Sequence, residues 1–154
     1  MVTSGDFRVI WFVFFNITLA LWTGGIGIFT FLATPAIFKS FPRDTASSIV
    51  DKLFPLYFPY NLITSFFALV FFLASGGGGI SVALIAVAVL ANLFIVFILY
   101  PSIKKTKREI ASFEKTDPSL PARKRFSRMH AVSAVLNLLL LALGLTLIVI
   151  QAAG

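Results

Sequence analysis

Four stretches of this chain are each long and apolar enough to cross a bilayer, and together they take up most of its 154 residues. A helix rising 1.5 Å per residue needs about 20 residues to cross a hydrocarbon core about 30 Å thick, and within that core the backbone must satisfy its own polar groups. The stretches run over about 9–38, 56–75, 80–100 and 129–151. The expected fold is therefore all-α: one integral membrane domain, residues 1–154, built as a four-helix transmembrane bundle. Connections at 39–55 and 101–128 link the spans, and no length remains for a soluble catalytic domain. Charged residues make up 12% of the chain, about half the share usual in a soluble domain.

The opening stretch, Arg8 followed by apolar residues, superficially resembles a secretory signal. Its apolar run outlasts the usual limit of about 15 residues and no Ala-x-Ala pattern follows, so it is read as a retained span. Gly24, Gly25, Gly27 and Pro35 interrupt this span, and a tilt or a kink near Thr34-Pro35 is expected. Between the first two spans, Ala46, Ile49, Val50, Leu53 and Phe54 share one helical face opposite Ser47, Ser48, Asp51 and Lys52, with Asp44 as the N-cap. That pattern predicts a short amphipathic helix lying in the interface. The run Gly76–Gly79 is long enough only for a tight turn, which makes spans two and three a hairpin.

Positive charge orients the chain. Lys39, Arg43 and Lys52 follow span one, and nine further cations between Lys104 and Arg128 follow span three, leaving Arg8 alone on the other side. Positive residues concentrate on the cytoplasmic side, so both long connections are expected there and both termini outside, in the inner membrane of a bacterium. The cations suit contact with anionic lipid headgroups at these connections better than contact with nucleic acid. Tyr57, Tyr60 and Tyr100 fall near the same boundary, and Trp11 near the opposite one. There is no cysteine, so thiolate metal sites and disulfides are excluded.

Polar side chains inside the spans carry the functional information, because each needs a partner where there is no water. His130, Ser133 and Asn137 lie at i, i+3 and i+7 on one face of span four, with Gly144 farther along it. Asn92 and Asn137 lie at similar depths, roughly 12 and 10.5 Å from the boundary, so the two amides could meet if spans three and four are neighbours. Span one offers Thr23, Gly27, Thr30 and Thr34 on one face, and span two Asn61 and Ser65. Such small and hydroxylic residues serve close helix packing. The alternative is a polar site open to the cytoplasm, framed by Asn92, His130, Ser133 and Asn137, with Asn61 beside it and Tyr57 and Tyr60 at its mouth.

His130 is the only histidine; it suits a proton carrier, a metal ligand or an axial haem ligand, or else a boundary residue bonded to a carbonyl or a phosphate. One histidine without cysteine builds no His/Cys metal site, and bis-histidine haem would need a second chain. No acidic residue lies in a span, which argues against a carboxylate proton or sodium relay. Nucleophile elbows, carboxylate pairs and phosphate-binding loops are missing, so no enzyme is expected and no cofactor is named by the sequence.

Three strings carry a family likeness: Asp51-Lys52-Leu53-Phe54-Pro55-Leu56-Tyr57-Phe58, Glu114-Lys115-Thr116-Asp117-Pro118-Ser119, and Phe126-x-x-x-His130-x-x-Ser133-x-x-x-Asn137-Leu138. They resemble the transmembrane protein 205-like family, small four-helix membrane proteins, over about residues 35–137. Family members commonly have Gly after the motif histidine, where this chain has Ala131. The resemblance implies architecture more than activity, and it coincides with the His130, Ser133 and Asn137 face. Three functions follow as expectations: binding or transport of a small solute or lipid, a structural or accessory subunit of a larger complex or homo-oligomer, and a haem-binding redox subunit through His130.

Overall fold

The computed structural model describes residues 4–110 and 112–153. Helix α1 (Ser4–Gly27) passes without a break through a wide turn, π1 (Ile28–Ala33), into α2 (Thr34–Ser40). Helix α3 covers Arg43–Ala74. Helix α4 (Gly79–Phe94), a second wide turn π2 (Ile95–Leu99) and α5 (Tyr100–Lys107) form the third rod, and α6 (Pro121–Ala153) the fourth. Each of the four rods is long and apolar enough to cross a membrane, and no strand occurs among the described residues. The protein is an integral membrane protein of the all-α class.

Helix α1 packs against α3 and α6, and α4 against the same two, so the rods form a square in which the backbones of diagonally opposite rods stay apart. The centre is filled by stripes at helical spacing: Phe15, Leu19, Trp22 and Ile26 on α1 face Ala68 and Phe72 on α3, Ile85 and Ala88 on α4, and Leu140 and Leu147 on α6. Outward faces are equally apolar, with Leu56, Leu90, Phe97 and Val149 exposed. Lipid tails solvate such a surface as well as the core would, so packing and buried polar contacts, rather than hydrophobicity, hold the rods together.

The amphipathic segment between the first two spans is not a separate interfacial helix. Residues 43–54 are the opening turns of α3, which continues through Pro55 and Pro59, and Asp44 lies inside the first turn instead of capping it. Each proline removes one backbone hydrogen bond at a cost of about 3 kcal/mol in an isolated helix. Ala46, Val50, Tyr57 and Phe58 keep one buried face on both sides of Pro55, and turning the segment into the interface would expose half of that face. Likewise α6 starts well before 129, with Pro121 in its first turn, where a missing N–H costs nothing. Among the described residues of the long connection 101–128, only those between Lys107 and Pro121 are non-helical.

The kink expected near Thr34-Pro35 takes the form of π1. Thr34 N–H bonds Phe29 O, five residues back, and Tyr100 N–H bonds Ile95 O in the same way at π2. Both wide turns end just before a proline, Pro35 or Pro101, whose ring would collide with the carbonyl four residues earlier in a regular helix. Admitting one extra residue per turn moves that carbonyl aside.

At the opposite end the glycine run closes α3. Gly76 N–H bonds Leu73 O at 3.0 Å and Gly77 N–H bonds Phe72 O at 2.9 Å, with Gly76 at φ +86°. This paired cap needs a left-handed residue. Gly76→Ala is expected to cost about 1–2 kcal/mol by the left-handed penalty, read as a lower unfolding midpoint in detergent micelles, whereas Gly78→Ala, with no atom near its added methyl, leaves it nearly unchanged. The Arg8 side chain lies against Gly76, so the start of α1 and the glycine turn share one end of the bundle.

Candidate functional site: an aromatic cavity with a polar floor

At the basic end the four rods separate around a cavity of about 260 Å³. Its walls are stacked rings: Phe29 on Tyr57 with centroids 3.9 Å apart, Phe54 on Phe58 at 4.9 Å, and Tyr100 tilted against Phe58 at 5.2 Å. Ring pairs of this kind add about 0.5–1.5 kcal/mol beyond the area they bury, and they give the cavity rigid sides. Phe29 and Thr30 belong to π1, so the wide turn itself supplies part of the wall.

The floor is a short hydrogen-bonded chain. The Tyr57 hydroxyl donates to Asn137 Oδ1 at 2.7 Å, and Asn137 Nδ2 donates to Thr30 Oγ1 at 2.7 Å. Tyr57 and Asn137 stand on diagonally opposite rods, α3 and α6, whose backbones do not touch. Their side chains therefore meet on the bundle axis and join three rods at one depth. Each such bond contributes about 1 kcal/mol net, and more is lost if one partner is removed and the other stays buried.

Charged and polar side chains, Lys107 and Arg43 the cations among them, form the rim. Lys107 pairs with Asp51 and donates to the Ser47 carbonyl and hydroxyl, while Arg43 and His130 complete the ring. Asp51 and Ser47 project from the opening turns of α3, four residues apart on one face. The loop between α5 and α6 folds over this rim. Its Phe113 is buried between Arg43, Lys107 and Arg123, whose cationic groups lie 5.9, 5.5 and 4.8 Å from the ring centroid. Asp44 holds the loop there, accepting from the Ser112 hydroxyl at 2.5 Å and the Phe113 N–H at 2.6 Å. Asp44→Ala is expected to free the loop, so that limited trypsin cleavage after Lys115 speeds up several-fold while the bundle stays folded; an unchanged cleavage rate would refute the latch.

Four of the candidate site residues singled out by sequence line this cavity: Tyr57, His130, Ser133 and Asn137. Tyr57 lies at the floor rather than at the mouth, because its hydroxyl is drawn to Asn137. His130 stacks parallel to Phe126 at 5.9 Å. Asn92, Asn61 and Tyr60 do not line it. Asn92 does not meet Asn137: its Nδ2 donates to Ser65 Oγ at 3.1 Å in the α3–α4 contact, because its side of α4 faces α3 rather than α6. The Tyr60 hydroxyl donates to Leu21 O at 2.7 Å and its ring covers Gly25, tying α3 to α1. Packing accounts for both positions. Asn61 is fully buried one turn along α3 from Tyr57, and its Oδ1 accepts no hydrogen bond from any described residue.

Sequence reasoning missed the ring wall and the rim. Phe29, Phe54, Phe58 and Tyr100 are a few of many aromatic residues, and nothing in their spacing sets them apart from lipid-facing Phe. Thr30 belongs to a stripe of small residues, and only the tertiary contact with Asn137 distinguishes it from Thr23.

Residues 17–112 match the model of a family described as Domain of unknown function (DUF4149). An uncharacterized protein of Aquifex aeolicus (strain VF5) is 32% identical over 143 residues, covering 88% of this chain and 96% of that protein. No solved structure matches. The matched region carries Phe29, Thr30, Tyr57 and Tyr100, from three of the four rods that enclose the cavity, and the chain belongs to this DUF4149 family.

Proposed function

We propose that the protein is a non-enzymatic membrane protein that binds a small, partly apolar solute or lipid in the aromatic cavity and serves its transport. The observation that carries this reading is the pairing of rigid ring walls with a single hydrogen-bonded floor and a cationic rim. Apolar walls supply affinity, a few fixed polar groups supply orientation, and such sites are usually preformed. The rim faces the cytoplasm of a bacterial inner membrane on the charge distribution, with both termini outside. The resemblance to the transmembrane protein 205-like group, carried by residues 51–58, 114–119 and 126–138, includes Phe126, His130, Ser133 and Asn137, and all four border the cavity.

Ala134→Phe places a ring on the α6 side of the cavity and removes none of the floor's hydrogen-bonding groups. Organic extracts of purified wild type are expected to contain a compound, seen by mass spectrometry, that is missing from this variant at equal folded yield. Identical extracts from the two proteins would overturn the reading.

A second reading, an accessory subunit of a larger membrane complex or a homo-oligomer, is favoured by α6, which leaves Val132, Val135, Leu138, Leu139, Leu145 and Val149 uncovered along most of its length. Native purification in mild detergent separates the two, since a stoichiometric large assembly supports the subunit.

A further inference from the structure

Beyond the rim lies a second cavity, of about 500 Å³, between the start of α6 and the Phe113 loop. Arg43, Arg123, Lys124, Ser127, Arg128 and His130 contribute to its lining, and no carboxylate does. Most basic clusters on membrane proteins are solvated and need no specific ligand, but Arg123 is different. It is only 9% exposed, its guanidinium stacks on Phe113, and no described residue accepts a hydrogen bond or forms an ion pair with it. Asp44 is close enough to feel its charge, but its carboxylate accepts from Ser112 and the Phe113 N–H and forms no ion pair with Arg123. Its side chain is largely buried, yet none of its nitrogens is both sealed from solvent and unpartnered, so the unfilled donors open into the cavity and are available to an acceptor there.

We propose that this second cavity is a phosphate-binding site, with Arg123 as its central donor and Lys124 and Arg128 flanking it. A planar fork of donors matches the oxygens of a phosphate, and the positive end of the α6 dipole, whose first turn holds Arg123 itself, adds to the attraction. Ser127, one turn beyond Arg123, adds a hydroxyl. Arg123, Lys124 and Arg128 do not line the aromatic cavity, so the site stands apart from the function proposed above. The two cavities nevertheless share Arg43, Phe113, Phe126 and His130 as a common wall. A phosphate carried by a lipid would therefore sit with its glycerol and chains beside the ring-lined cavity, whereas free phosphate would occupy the basic cavity alone.

The test uses full-length protein in uncharged detergent and two probes: phosphatidylglycerol, counted as retained adducts by native mass spectrometry, and inorganic phosphate, titrated by calorimetry. Arg123→Gln is expected to weaken the bound probe about tenfold or more, the value of one lost charge-assisted contact. Because Arg123 is buried, the exposed pair Lys124→Gln/Arg128→Gln provides a second variant with the same expected direction. Lys104→Gln/Lys105→Gln removes two cations outside the cavity and should leave binding as it was. Retention of phosphatidylglycerol that millimolar phosphate does not displace identifies a lipid headgroup; binding of phosphate without lipid retention identifies a free phosphate. The proposal is overturned if neither probe binds, or if the Lys104/Lys105 control loses as much as the cavity variants.

Discussion

Asn137→Leu is expected to destabilise the protein by about 2 kcal/mol and to release whatever occupies the aromatic cavity. Leucine is close to asparagine in size, so the loss is one of polarity. The two bonds of Asn137 contribute about 1 kcal/mol each, and both go. Thr30 can turn its hydroxyl back to a carbonyl of its own helix, and the Tyr57 hydroxyl can turn to Asn61, which also lies within its reach on α3. Neither rearrangement ties α6 to the other rods, so the cross-bundle link is lost while no hydroxyl is stranded. Tyr57→Phe in the Asn137→Leu background should then cost less than Tyr57→Phe alone, a coupling of about 1 kcal/mol in a double-mutant cycle. Unfolding in mixed micelles measures it, and additive effects would mean that the floor is not a connected unit.

Gly144→Val is the second large effect, expected at about 3 kcal/mol or more. A methyl at Gly144 would overlap Thr23 Oγ1 and fall 3.3 Å from both carbons of that side chain. Thr23 is buried and branched at Cβ, so it has little rotamer freedom with which to yield, and α1 and α6 must part. Overfilling a packed contact costs about 1–3 kcal/mol in soluble cores, and close packing is a larger share of the total here. Gly27→Ala is the matched control: its added methyl meets nothing within 4 Å, its backbone is helical, and helix propensity favours alanine by about 1 kcal/mol. The first variant should lower the unfolding midpoint and the second raise it.

The rods, their number and the hairpin at the glycine run were legible because apolar length and left-handed glycine are local properties of a chain. The gathering of cations at one end was legible for the same reason. Which polar residue meets which was not. Asn92 and Asn137 have the depth to pair, but depth along a helix says nothing of azimuth, and the azimuth of Asn92 turns it to Ser65. The continuity of α3 through Pro55 and Pro59 escaped because proline's local penalty is read from sequence, while the packing of Tyr57 and Phe58 that outweighs it is tertiary. His130, Ser133 and Asn137 were found by their spacing, since three polar groups on one face of an apolar helix are rare enough to stand out. The rings that enclose them were not, since aromatic residues are common everywhere in this chain.

The two wide turns change how length differences among related chains are to be read. Each holds one residue more than a regular turn, so deleting a single residue within 28–33 or 95–99 returns the stretch to regular helix, keeps everything beyond it near its original azimuth and brings the proline ring back against the carbonyl four residues earlier. Beyond π1 stand Thr34 and Phe38, and beyond π2 stand Tyr100, Ile103 and Lys107, all of them on the cavity wall. A one-residue gap in an alignment at either place is thus the loss of a wide turn, whereas the same gap in a regular stretch of a rod turns everything beyond it by about 100°. Only the second kind of gap re-aims an entire wall while leaving every lining residue present in the sequence.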